Sequence, residues 1–221
     1  KDLVSKLNGT IVECNTAYPG KRNTTEAHWQ TIKNHGFADI APCDILDEEG
    51  ETALKVDGGK HLKENYVGSH IKNYDSILML SHFKGHAMGG LGGALKNMSI
   101  GLASSRGKLW IHNSGQGEDF DSIFTSDHNS FLESMADADK SVIDYIGKDN
   151  LAYINVANNL SVDCDCNANP AEPEMDDIGI FASLDPVAVD QACVDAVVNS
   201  SDKGKASLIE SSPFNTPTAK S

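Results

Sequence analysis

At 221 residues, with 39% hydrophobic and 23% charged residues, the chain suits one ordinary domain with a sizeable buried core. The formal net charge of -14 repels a phosphate backbone, and the 18 Lys and Arg residues form no basic run, so no nucleic-acid partner is expected. No apolar stretch approaches the roughly 20 residues that span a bilayer, so no membrane role is expected either.

Five cysteines, an odd number, and the lack of a secretory-type opening point to free or metal-bound thiols in a reducing cytoplasm. The chain starts at Lys1 and stops in the turn-like "SSPFNTPTAKS", which reads as a trimmed portion of a longer protein, residues 1 to 221 forming a single α/β domain.

In chain order, Gly9 stops an opening helix, and "TIVECN" (10 to 15) has the β-branched character of a buried strand. Thr24 or Thr25 caps a helix that closes at Gly36. "PCDILD" (42 to 47) predicts a second strand, and the alternation around Asp57-Gly58-Gly59 predicts a β-hairpin excursion near residues 51 to 68. "DSILMLSHF" (75 to 83) reads as a strand covered on both faces, followed by a glycine-rich turn, a helix through about 93 to 104 and a short apolar piece, "KLWIH".

Ser126 or Asp127 begins a long amphipathic helix ending at Gly147. Strands at 151 to 160 and 177 to 185 follow, and Asp185-Pro186 starts a further helix. Strands alternating with helices predict an α/β fold, a mainly parallel sheet flanked by helices in Rossmann-like layers. In such sheets ligands collect beyond the carboxyl ends of the strands, so the loops there carry the candidate chemistry.

"SHFKGHAMGGLGGALKN" (81 to 97) is the first such loop. Gly90, Gly92 and Gly93 allow backbone amides to approach a ligand, and the helix behind them favours an anion, yet the spacing matches neither standard nucleotide fingerprint. His82 and His86, four apart, are candidate metal ligands, with polar packing as the plainer reading. Lys84 and Lys96 bracket the loop as candidate holders of an anionic ligand, against simple surface solvation, the plainer reading for Lys84.

Cys164 and Cys166 in "DCDC" project to one side of an extended segment, a spacing that suits zinc, iron or nickel, against an ordinary pair of reduced thiols. Neighbouring carboxylates disfavour a bare thiolate and so favour a metal. In "CNTAYPGKRNTTEAHW", Arg22 offers a planar fork for a carboxylate or phosphate, and Asn15, Thr24 and His28 complete a polar pocket, against a plain solvated loop.

Taken together, "ECNTAYPGKRNTTEAHW", "SHFKGHAMGGLGGALKN", "SRGKLWIH", "INVANNLSVDCDC" and "DIGIFASLDPVAVDQAC" closely resemble the bacterial and archaeal family of uncharacterised iron-sulfur centre proteins, domain of unknown function 362, over about residues 10 to 195. The resemblance implies no established reaction. Many members carry a ferredoxin-like insert of paired cysteine runs, but residues 108 to 163 here contain no cysteine, so a local ferredoxin-type cluster is not expected. "HAMGGLGGALKN" is also similar in pattern to the nickel-pincer lactate racemases, a likeness that implies His82 or His86 as acid, base or metal ligand and Lys96 as cofactor or substrate holder.

The expectation is therefore a metal- or cofactor-binding α/β protein of redox or isomerase-like type. Lys96 and His86 are its catalytic candidates, Asn15, Arg22, Gly90, Gly92 and Gly93 its ligand-binding ones, and His82, His86, Cys164 and Cys166 its metal ligands. A small anionic ligand is the expected partner. The alternative is a non-catalytic binding or scaffold module.

Overall fold

The computed structural model describes residues 1 to 165, 167 and 169 to 211. In chain order the elements are α1 (Asp2–Leu7), β1 (Ile11–Glu13), α2 (Thr25–Asn34), β2 (Cys43–Ile45), β3 (Glu51–Lys55), β4 (Glu64–Gly68), β5 (Ile77–His82), β6 (Lys84–His86), β7 (Gly90–Gly92), α3 (Ala94–Gly101), α4 (Ser105–His112), α5 (His128–Ile146), β8 (Leu151–Ala157), β9 (Gly179–Ser183), α6 (Pro186–Asn199) and α7 (Lys205–Ser211). They form two compact units, the first from residues 1 to 75 and 99 to 145, the second from 76 to 98 and 146 to 221. No helix among the described residues is long and apolar enough to cross a membrane.

In the first unit, β1 and β2 pair in parallel, joined through α2 as a crossover requires. Thr24 caps α2 by accepting from the Ala27 amide, and Gly36 takes the left-handed φ of 74° that turns the chain out of it. β3 and β4 form the expected antiparallel hairpin. Asp137 on α5 holds its tip, accepting from the amides of Lys60, His61 and Leu62. Phe131, Met135, Ala138 and Val142 recur along α5 at helical spacing and are all buried, each large one contributing about 1.5 to 3 kcal/mol by leaving water.

In the second unit, β5, β8 and β9 form a three-stranded sheet, β5 parallel to β8 and β8 antiparallel to β9. Phe83, Leu160, Met175, Cys193, Val197 and Leu208 build a core beside it. Asp185 caps α6 by accepting from the Val187 and Ala188 amides, and Pro186 occupies the first turn, where its missing N–H costs nothing.

The architecture is α/β, but the mainly parallel, Rossmann-like sheet is not observed: the strands form small mixed sheets of two or three. β8 and β9 are joined without an intervening helix among the described residues, and a chain that lacks a crossover helix returns antiparallel. Nor is β5 covered on both faces, since Leu80 is 49% exposed.

Two local expectations also change. The glycine-rich stretch is itself a short antiparallel hairpin, β6 and β7, rather than a simple strand-to-helix turn. The helix expected through about 93 to 104 ends at Gly101, and the short apolar piece "KLWIH" belongs to α4, which Ser104 starts by accepting from the Gly107 amide.

Candidate functional site

The candidate site lies in the second unit, at the carboxyl end of β5. His82 ends that strand opposite Val156 of β8. Its Nδ1 lies 3.0 Å from Asp165 Oδ1, and its Nε2 lies 2.7 Å from the carbonyl oxygen of Asn158. A carboxylate and a carbonyl can only accept, so the arrangement favours the doubly protonated, imidazolium form of His82. The hydrogen bond to Asp165 accordingly holds the ring's pKa above its ordinary value, against the opposing effect of burial.

Lys84 continues the chain into β6 and is 8% exposed, a correction to its expected place on the surface. Its Nζ lies 2.7 Å from Asp165 Oδ2. One carboxylate thus bridges two cations. Partial burial pushes the Asp165 carboxyl up, but the hydrogen bonds from His82 and Lys84 outweigh it and bring the pKa to about 2.

The hairpin behind Lys84 is built by close approach. Gly85 donates to the Ser161 carbonyl, and a Cβ on Gly85 would stand 2.4 Å from the Val162 oxygen, so only glycine lets the hairpin lie against that segment. At the turn, His86 Nδ1 accepts from the amides of Met88 and Gly89, at 3.2 and 2.8 Å. The ring's proton therefore sits on Nε2, and His86 is a fixed hydrogen-bond donor.

Gly90 takes a left-handed φ of 75°. At Gly92 the bare backbone lies between two lysines, with Lys84 Nζ 3.5 Å and Lys96 Cδ 3.6 Å from where a Cβ would stand. His82 and Lys84 thus set two cations against one partly exposed carboxylate, and the Lys96 stem passes the same glycine.

Gly93 serves packing. A Cβ there would fall 2.3 Å from Asp190 Oδ1, and Asp190 accepts from the Ala94 and Leu95 amides and from Asn155 Nδ2. The anion expected at the start of α3 is supplied by the chain itself. Burial raises the Asp190 pKa, yet these donors compensate the charge.

Neither histidine offers a ready lone pair to a metal as it stands. His82 donates from both nitrogens, and a metal on His86 Nδ1 would displace two amides. Cys164 is partly buried and not in a disulfide, and Cys166 lies outside the described residues. Among the described residues one group has metal-ligand spacing. It is in the first unit, where Asp44, Glu48 and His70 place ligand atoms within 4.8 Å of one another. Asn15 and Arg22 also belong to the first unit.

Sequence reasoning missed three residues. Lys84 is hidden from a composition argument because a lysine in a loop is ordinarily solvated. Asp165 entered only as a carboxylate beside the two thiols. Asp190 did leave a signal: it sits among Pro186, Val189, Cys193 and Val197, the buried stripe of α6, and a charge on such a stripe needs a partner.

These features define an α/β protein with a cation-lined polar site at a strand's carboxyl end. The chain belongs to the family described as domain of unknown function (DUF362), whose model matches residues 1 to 195. That description assigns no activity, and among curated proteins none matches the chain.

Proposed function

We propose that this chain binds a small molecule bearing a carboxylate or phosphate at the carboxyl end of β5. The single observation that carries this is Asp165, whose carboxylate meets His82 Nδ1 at 3.0 Å and Lys84 Nζ at 2.7 Å. Two buried or half-buried cations with charge-assisted geometry for one oxyanion are a recognition element for another of the same chemistry. Lys96, whose stem passes Gly92, adds a third cation for a ligand that extends toward it. In an isomerase-like reaction Lys96 is the proton carrier, and His86 Nε2–H polarises the oxygen on which charge develops, as a neutral imidazole does.

The test is calorimetric titration with inorganic phosphate and a short dicarboxylate. Lys84→Met weakens binding at least tenfold, or about 1.4 kcal/mol, while Asp165→Asn, which removes the competing carboxylate, tightens it. Unchanged affinity in Lys84→Met sinks the reading.

A second reading rests on a different observation, the Asp44, Glu48 and His70 group. His70 is 8% exposed and its Nδ1 is 2.8 Å from Asp44 Oδ1, and a donor set of imidazole and carboxylates suits zinc or manganese. On this reading, elemental analysis of protein purified without chelator finds near-stoichiometric metal, lost in His70→Ala and kept in Cys164→Ala. Metal that follows Cys164 instead would return the site to the thiols.

A further inference from the structure

The first unit holds a buried cation that the site at β5 does not use. Lys108, on the first turns of α4, is 8% exposed. Its Nζ reaches back past the start of the helix to donate to the Ala103 carbonyl. Among the described residues no carboxylate stands within ion-pair distance of it. One neutral acceptor for three ammonium protons is poor compensation for a buried charge.

Four hydrogen bonds tie the start of the Lys108 helix to the loop after β1. Ser105, one turn before Lys108, donates from Oγ to the Thr16 carbonyl, and the Thr16 amide donates to the Arg22 carbonyl. Asp47 ties the same corner together by accepting from the amides of Asn15 and Ser105, at 2.9 and 3.2 Å. Among the described residues Arg22 makes long side-chain contacts, 3.5 Å to Glu13 Oε2 and 3.4 Å to the Tyr18 hydroxyl, neither of them a bidentate pairing of its guanidinium fork.

His28, 1% exposed, joins the same corner through Asn15, whose amide donates to Asp47. Asn15 Nδ2 donates to Thr25 Oγ1, which turns Asn15 Oδ1 toward His28 Nδ1 at 3.2 Å. Nδ1 therefore carries the proton and Nε2 the lone pair. Burial, then the charge of Arg22 and more weakly that of Lys108, outweigh the opposing Asp47 carboxylate and lower the His28 pKa to about 4, so the ring stays neutral at pH 7.

We propose that Lys108, Arg22 and His28, beyond the carboxyl end of β1, form a second ligand site that takes an oxyanion still carrying an O–H. Lys108 and Arg22 compensate the negative charge. His28 Nε2, which carries the ring's lone pair, accepts a hydrogen bond from the ligand hydroxyl. A fully deprotonated anion leaves that nitrogen without a donor, whereas hydrogen phosphate, a phosphate monoester monoanion or a 2-hydroxy acid satisfies it. Asn15 is a positioning residue that fixes the His28 tautomer.

The experiment uses the full chain carrying Lys84→Met, so that the site at β5 does not contribute and its failure is read separately. Ring resonances of His28 are followed by NMR during titration with inorganic phosphate near pH 6, with lactate, with acetate, and with sodium chloride at matched ionic strength. Phosphate or lactate is expected to move the His28 ring with a millimolar midpoint, on the order of -4 kcal/mol, and acetate to bind at least tenfold more weakly. Which of the two binds more tightly identifies the phosphate or the hydroxy-acid source.

Lys108→Met and Arg22→Gln should each weaken the effect at least tenfold. Arg22 is partly exposed, so its variant carries the test where Lys108→Met fails to fold. A ring that does not move with phosphate or lactate, that moves equally with sodium chloride, or that still moves in Arg22→Gln overturns the proposal.

Discussion

His82 and His28 bend the stability curve in opposite directions. The Asp165 hydrogen bond raises the His82 pKa, so the folded state holds that proton more tightly than the unfolded chain. Its contribution is complete below the ordinary histidine value near 6.5 and is lost as pH rises through the raised value. For His28 the folded pKa is about 4, so the unfolded chain gains a proton first, and stability falls as pH drops from about 6.5 toward 4. Urea unfolding across this range should show His82→Gln losing the alkaline slope and His28→Gln losing the acid one. Single variants are required because His70, raised chiefly by its hydrogen bond to Asp44, bends the curve as His82 does.

The neighbouring glycines 92 and 93 separate in the same way. A methyl on Gly92 meets Lys84 and Lys96 at ordinary contact distance, whereas one on Gly93 collides with the Asp190 carboxylate. Gly93→Ala is expected to cost about 2 to 4 kcal/mol, by driving Asp190 off the α3 amides, and Gly92→Ala less than about 0.5 kcal/mol. Calorimetric melting of both variants checks the contrast, and equal losses would refute the packing role given to Gly93.

At the scale of elements, Asp185→Ala removes the α6 cap and should cost about 1 kcal/mol, a shift of roughly 2 to 4 °C in Tm. That cap was legible in the sequence because Asp-Pro before an apolar run has a local cause. So were the 51 to 68 hairpin and α5, whose signals lie within one window. The break between α3 and α4 was not, since Ser104 is a weak marker until its hydroxyl is seen meeting the Gly107 amide. Sheet partners were not legible either: whether β9 pairs parallel or antiparallel depends on the route of the chain between 158 and 178, which no periodicity records. At the site, β5 and its glycines were evident, but the carboxylate that engages His82 comes from 83 residues away.

Across the whole molecule, each compact unit is assembled from two separated stretches of chain. Cutting after residue 75 therefore isolates no unit, while residues 1 to 145 contain every stretch of the first. That fragment is expected to keep the dispersed NMR signals of β3, β4 and α5. The signals of β5 should collapse, because its ladder partner β8 begins at Leu151. Retained dispersion for Ile77 to His82 in the fragment would show that β5 does not depend on β8.

Asp165 has one further consequence for any ligand that binds at His82 and Lys84. A carboxylate carried by the chain is present at a fixed effective concentration, of millimolar order for a short tether, and it never dilutes. A weak anion must outcompete it at every encounter, so simple monocarboxylates and chloride are held below a threshold of occupancy. A ligand that also reaches Lys96 gains what the tethered group lacks. On the proposed reading the loop would act as a filter, converting a modest difference in contact number into a selection by valence.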